Sequence, residues 1–227
     1  MVTNAKFKSL KQAEDTVGGL SKPGKMPTKG WSISATECNT GSKLAKQEGS
    51  ACFGCYALKG RYPFPNVQNA MDRRLKSWRK SREDWVDAMC YIMENDKVIQ
   101  KTKVFRWFDS GDLQGEEMLE DINEIAWRVR DVRFWLPTKE YVVVNNYSEE
   151  VAPNLSIRIS HPKLNSSYPN SAFADYVKSY IYKKDRLDEA PSGAKVCPAT
   201  VPGNPRVCGD CRNCWDKDVK EVVYIYH

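Results

Sequence analysis

The chain has 227 residues, of which 41% are hydrophobic and 28% charged, a size and mix that fit one globular domain or one domain with a small appendage. No apolar run approaches the roughly 18 residues of a membrane helix, and the start, Met1-Val2-Thr3-Asn4-Ala5-Lys6, lacks the apolar core of a secretory signal, so a cytoplasmic protein with no membrane partner is expected. The net charge of +6 permits nucleic acid as a partner without requiring it. Only two histidines, His161 and His227, are present, which argues against a His-rich zinc hydrolase.

In chain order, residues 1–30 are polar and carry Gly18-Gly19, Pro23-Gly24 and Pro27, which predicts a mostly irregular arm. Trp31 to Ala35 reads as a short strand, followed by a loop with three cysteines between Cys38 and Cys55. Asn66 to Asn95 is helical in composition, with Met71, Leu75, Trp78, Trp85, Ala88, Met89 and Ile92 near helical spacing. Cys90 falls among these apolar positions and reads as core. Lys103 to Phe108 is a strand ending in Asp109-Ser110-Gly111-Asp112. Glu116 to Arg130 is an amphipathic helix, acidic in its first turn as the helix dipole favours. Val132 to Leu136 is the next strand, leading into Pro137-Thr138-Lys139, and a short helix covers Lys139 to Asn146. Leu155 to Ser160 is a further strand, ending at His161-Pro162.

Strands alternating with helices imply right-handed crossovers and a parallel sheet. Too few units are visible to close an eight-stranded barrel. The expected fold is therefore α/β: a partial, open parallel β/α barrel over residues 31–190, preceded by an arm (1–30) and followed by a small cysteine-rich metal-binding segment (191–227). Ligands in such folds sit at the carboxyl ends of the strands. Here those ends carry the cysteine loop, Asp109 and Asp112, Thr138-Lys139 and Ser160-His161.

Seven of the eight cysteines fall into two clusters. In a reducing compartment, clustered cysteines read as metal ligands before disulfides. Cys52-Phe53-Gly54-Cys55 is a C-x-x-C pair, a spacing that lets one turn aim two sulfurs at one centre, and Cys38 precedes it with 13 residues between. Three thiolates with no histidine nearby suit a [4Fe–4S] cluster in which one iron keeps a free position; zinc is the alternative there. Near the other end stand Cys197-Pro198 and the run Cys208-Gly209-Asp210-Cys211-Arg212-Asn213-Cys214. Three evenly spaced sulfurs plus a fourth resemble the ferredoxin ligand pattern and would close a second [4Fe–4S] cluster; a four-cysteine zinc site is the rival.

The three cysteines after the first strand, the Cys-x-x-Cys-Tyr ending and the parallel strand–helix body resemble the radical S-adenosylmethionine (radical SAM) superfamily, whose usual cysteine spacing is tighter than the one here. Cys52-Phe53-Gly54-Cys55-Tyr56-Ala57-Leu58-Lys59-Gly60, together with Arg106-Trp107-Phe108-Asp109-Ser110-Gly111-Asp112 and Phe134-Trp135-Leu136-Pro137-Thr138-Lys139, is more similar still to a bacteriophage iron–sulfur protein family. That second resemblance brings no activity with it, and it implies the host cytoplasm as location. The superfamily likeness implies S-adenosylmethionine as cofactor, an external electron donor and a substrate that the residues do not name. It places Asp109, Ser110, Gly111 and Asp112 where the superfamily's Gly-Gly-Glu loop holds the cofactor's amino group, and makes Lys139 and Arg158 candidates for its carboxylate, with Ser160 on the same strand face as Arg158.

A basic stretch, Arg73-Arg74, Lys76, Arg79-Lys80 and Arg82, could meet nucleic-acid phosphates or be a solvated helix face. Three readings follow. The chain is a radical-SAM-like enzyme, or an iron–sulfur electron carrier or redox sensor without that chemistry, or a zinc-stabilised nucleic-acid-binding protein. Metal content separates the third from the others, and cofactor binding separates the first from the second.

Overall fold

In the computed structural model, which describes residues 6–169 and 171–226, seven parallel strands form one open sheet in the order β1-β2-β3-β4-β5-β7-β6. They are β1 (Gly30–Trp31), β2 (Val104–Trp107), β3 (Arg133–Thr138), β4 (Leu155–Ser160), β5 (Val177–Tyr182), β6 (Lys195–Val196) and β7 (Glu221–Ile225). The open parallel α/β architecture expected from the sequence is present. Two of its strands, β6 and β7, come from the cysteine-rich C-terminal stretch. Met1 to Ala5 of the expected arm, and His227, lie outside the described residues.

Successive strand residues point to opposite faces. The registers Phe105↔Phe134 and Leu136↔Ile157 put these residues on one face, and Arg106↔Trp135 with Pro137↔Arg158 put theirs on the other. The first face packs under helices α4 (Arg82–Asn95) and α6 (Glu116–Arg128) around an aromatic core in which Trp31 and Trp85 meet edge-on at 5.1 Å. The second face packs under the C-terminal cysteine segment. Trp215 inserts there, donating its indole N–H to the Phe105 carbonyl at 2.7 Å and meeting Trp135 edge-on at 5.2 Å, with Val104, Cys214 and Val222 completing the cluster. No helix among the described residues is long and apolar enough to cross a membrane.

Several expected boundaries are corrected. The arm is not mostly irregular: α1 (Leu10–Thr16), capped by Ser9, packs on α4 and buries Ala13, with Phe7 and Val17 buried beside it. The strand expected at 31–35 pairs only over Gly30 and Trp31, because Ser34 caps a single 3₁₀ turn at Ala35–Glu37. The long helix expected at 66–95 is two, α3 (Pro65–Lys80) and α4. Ser81 between them is extended (φ −158°, ψ 103°) and its hydroxyl accepts from the Asp84 N–H, a capping signal that the apolar spacing running across the break obscured. A helix absent from the sequence reading, α5 (Lys97–Thr102), is capped by Asp96, which accepts from both the Val98 and Ile99 N–H groups. The helix expected at 139–146 is α7 (Tyr141–Asn146).

The loop after β2 is folded back onto the segment after β1. The Ile33 N–H donates to the Ser110 carbonyl at 3.2 Å, and the Phe108 N–H to the Trp31 carbonyl at 2.9 Å. Gly111 allows this close approach. Its φ is +81°, and a Cβ there would lie 2.3 Å from Ile33 Cγ1 and 2.8 Å from the Ile33 carbonyl oxygen. Gly111→Ala therefore combines a left-handed strain with a backbone clash and should destabilise the fold by about 3 kcal/mol. Denaturant unfolding measures this; a loss well under ~1 kcal/mol would contradict so tight a contact.

Candidate metal centres

Strands β1 to β4 bring their carboxyl ends to one rim, and the first cysteine loop lies across it. Cys38 follows the 3₁₀ turn and begins α2 (Asn39–Leu44), while Cys52 and Cys55 close a tight turn in which the Cys55 N–H donates to the Cys52 carbonyl at 3.0 Å. Gly54 within that turn has φ +69°, a conformation few other residues accept. The loop is tied to the rim by Ala51 N–H to the Pro162 carbonyl (2.7 Å), Leu164 N–H to the Gly49 carbonyl (3.0 Å) and the Tyr56 hydroxyl to the Asp109 carbonyl (2.5 Å). The sulfurs of Cys38 and Cys52 flank Gly41: a Cβ there would stand 3.4 Å from one and 3.8 Å from the other.

Burial pushes the Cys38 thiol well above its usual range, and the nearby charges of Asp112, Cys52, Cys55 and Glu140 push the same way. Cys52 is raised by burial and partly relieved by Lys139. Such thiols shed their protons when a metal takes the protons' place.

The rim acids are held by their neighbours. Asp109 accepts from the hydroxyls of Ser21 (3.0 Å), Ser32 and Tyr62 (3.0 Å). Asp112 accepts from the Thr138 hydroxyl (2.6 Å), the Lys139 N–H (2.8 Å) and its neighbour Leu113 N–H (2.9 Å), and it does not cap α6, whose first turn follows Gly115. Ser110 is buried with its hydroxyl unpartnered, and the Ser160 hydroxyl lies 3.1 Å from that of Ser179. The Lys139 ammonium makes no hydrogen bond or ion pair among the described residues and stands near Cys52.

Glu140, which the sequence reading did not single out, clamps the turn after Cys38. Its two carboxylate oxygens accept from the Thr40 N–H and hydroxyl, each at 2.8 Å. No signal in the sequence pairs positions 40 and 140; the fold alone does so.

The second group sits on the other sheet face. Cys208 and Cys211 form a tight turn (Cys211 N–H to Cys208 carbonyl, 3.0 Å), and Cys208 is fastened to the N-terminal segment by its N–H to the Lys25 carbonyl (2.9 Å). Cys197 leaves β6 with its N–H on the Val223 carbonyl (2.8 Å). Cys214 is buried beside Trp215, with its sulfur 3.2 Å from the Tyr224 hydroxyl. Burial raises the thiols of Cys197 and Cys208, where neighbouring thiol charges add to it, and pushes Cys214 up to about 12 against the opposing pull of Tyr224, Arg158 and Arg106. Arg158 belongs to this group and not to the first cysteine loop: its guanidinium meets carbonyls around Cys214, where the superfamily likeness had made it a candidate for the cofactor's carboxylate at the rim.

The basic stretch is largely used within the fold. Arg74 is buried, donating to the carbonyls of Gly19, Leu20 and Ser32; Arg73 reaches the Gly18 carbonyl; Arg79 pairs with Glu37, and Arg82 with Glu120 and Asp121. Lys76 and Lys80 line a shallow groove with Asp72. Cys90 is buried in the helical core.

As placed, no three or more His, Cys, Asp or Glu side chains among the described residues form a group that could hold a metal ion. The fold places the seven cysteines in two regions, three on the loop across the carboxyl rim and four in the segment under the opposite sheet face.

These features define an open parallel α/β protein bearing two thiol clusters. Residues 4–217 match the family described as Gene product 88, and the chain belongs to that family, a phage-type one. The bacteriophage resemblance read from the motifs agrees with this, and the match says nothing of the radical SAM superfamily. No curated protein and no solved structure matches the chain.

Asp112 supplies a pH test of the rim. Burial raises its pKa from 3.8 to about 6, against the hydrogen bonds from Thr138 and Lys139. Between those values the folded chain keeps the proton that the unfolded chain has lost. Stability therefore falls as pH rises through this window, by on the order of 3 kcal/mol, and levels off above it. In metal-free protein, Asp112→Asn should flatten that slope relative to the parent in unfolding measured from pH 4 to pH 7; identical slopes would place the carboxyl in contact with solvent.

Proposed function

We propose that this chain is an iron–sulfur protein with two unlike centres. Cys38, Cys52 and Cys55 would hold a [4Fe–4S] cluster at the rim with one iron left without a protein ligand. Cys197, Cys208, Cys211 and Cys214 would hold a second, closed cluster beneath the sheet. The observation that carries this reading is the sorting of seven cysteines into two groups at two separate places in the fold, one on the rim loop and one under the opposite sheet face. The donor sets are all sulfur, as such clusters require. Gly41 leaves between Cys38 and Cys52 a cradle that a single Cβ would fill. A lone zinc ion draws its thiolates to within about 4 Å of one another. A cluster, being several ångströms wide, takes them from farther apart.

Such centres supply electron transfer and, at the open iron, a coordination site for a small molecule. The radical SAM likeness makes S-adenosylmethionine our proposal for that molecule, with an external electron donor and a substrate set by the rim. Lys139 supports this: its ammonium, without an ion-pair partner among the described residues, stands near Cys52 and suits a carboxylate. Asp109 offers the amino group a carboxylate held only by hydroxyls, which can turn to make room.

Protein purified without oxygen should be brown and contain iron and sulfide for two clusters, about eight of each per chain. Gly41→Ala should lower both by about half, since the added methyl would stand 2.9 Å from Cys38 Cβ and displace that cysteine. About two zinc ions with negligible iron would overturn the reading.

Adding S-adenosylmethionine to the reduced protein should perturb the electron paramagnetic resonance signal of the rim cluster and slowly release 5′-deoxyadenosine, and Lys139→Ala should weaken both effects. An unchanged spectrum at saturating cofactor, in protein holding both clusters, would favour an electron carrier or redox sensor.

A further inference from the structure

Two arginines lie against the closed centre with no carboxylate bound to either. Arg158, in β4, is fully buried. Its Nη1 donates to the Lys178 carbonyl (2.9 Å), and its Nη2 to the carbonyls of Asn213 (3.0 Å), Asp216 (3.2 Å) and Val219 (3.1 Å). Arg106, in β2, donates through Nη2 to the Phe108 carbonyl (3.3 Å), touches Met26 Sδ with Nη1 (3.6 Å) and lies 4.3 Å over the Trp135 ring. The Nε of each is buried without a hydrogen-bond partner. Neither arginine takes part in an ion pair among the described residues. The charges of Asp109 and Asp216 act on Arg106 and Arg158 respectively without forming an ion pair, Asp109 accepting from Ser21, Ser32 and Tyr62 and Asp216 from the Asp218 N–H.

Sulfur lies beside these cations. Met26 Sδ, which touches Arg106, is 3.8 Å from Cys208 Sγ, and the carbonyls that Arg158 binds at Asn213 and Asp216 bracket Cys214. A buried charge without an ion pair costs several kcal/mol, so the fully buried Arg158 calls for negative charge nearby, and the half-buried Arg106, with Asp109 acting on it only from the rim side, gains from it too. Four neutral thiols offer none. Four thiolates around a divalent ion, or around a doubly positive cubane core, leave two negative charges over, which would supply it.

We propose that Arg106 and Arg158 are built-in counter-ions of a dianionic four-thiolate centre at Cys197, Cys208, Cys211 and Cys214, and that they ease its reduction. This rests on the closed-centre reading above. An electron added next to the guanidinium groups of the buried Arg158 and the half-buried Arg106 meets a positive field, and the charge around the sulfurs sets the potential of such clusters.

Arg106 isolates the effect of charge, because Arg158 also fastens four carbonyls and its loss would mix charge with folding. In a Cys38→Ala background, where the closed cluster alone remains, Arg106→Met should still bind iron and sulfide. It should be harder to reduce: about tenfold less reduced cluster at a fixed potential, or ~59 mV for a one-electron couple. Arg106→Lys should recover most of the difference, and Arg158→Lys, if it folds as judged by its melting, should stay near the parent. A parent-like midpoint in Arg106→Met overturns the proposal. Should metal analysis return zinc, the iron–sulfur reading fails, and the counter-ion role is read from chelator competition. Arg106→Met should then release zinc about tenfold more readily, and parent-like release overturns it. A chain that binds neither metal overturns both readings.

Discussion

A parallel sheet has two faces to cover, and that requirement organises this protein. Its strands carry large side chains on both sides, so neither face can be left to water. Helices α4 and α6 cover one. The other is covered by a segment too rich in turns to form a helix, and the chain meets the need with Trp215 wedged against Trp135 and the Phe105 carbonyl. The four C-terminal cysteines thus stand on the sheet as a structural layer. The buried Arg158 and half-buried Arg106 that reach them start from strands at the centre of the fold.

The rim site follows from the same sheet by a different route. Parallel strands end together, so the loops after β1, β2, β3 and β4 meet at one edge. There Gly111 lets the β2 loop lie on Ile33, Asp112 binds the turn after β3, and Glu140 grips the turn after Cys38. The result is a continuous polar seam under the three-cysteine loop. Its acids are largely satisfied within the protein, while the ammonium of Lys139 has no ion-pair partner among the described residues.

The two cysteine groups are alike in exposure but for one member: Cys38, Cys52 and Cys55 are half-buried on a loop that exposes Phe53 and Tyr56, Cys197, Cys208 and Cys211 are half-buried as well, and Cys214 is buried. Arg106 stands between them, with Asp109 on the rim side and Cys208 and Cys214 on the other acting on its surroundings.

Local chemistry is what the sequence determined by itself. The C-x-x-C turns, the acidic first turn of α6, the β-rich runs that became β2 to β4 and the parallel α/β order all depend on residues close in the chain, so pattern alone reveals them. The break at Ser81 was also written locally, but a continuous apolar spacing concealed it. Strands β5, β6 and β7 were not legible. β6 has only two residues, and no α-helix lies between β4 and β7 in the chain, so the strand–helix alternation that marked the other strands is missing there. Tertiary structure alone decided which groups face which: Glu140 against Thr40, Met26 against Cys208, and Arg158 under Cys214 in place of the rim. Strand alternation tells which face a side chain takes, but not what covers that face. Covering is settled when distant segments bury their apolar surface together, and that is a property of the packed chain and not of any stretch within it.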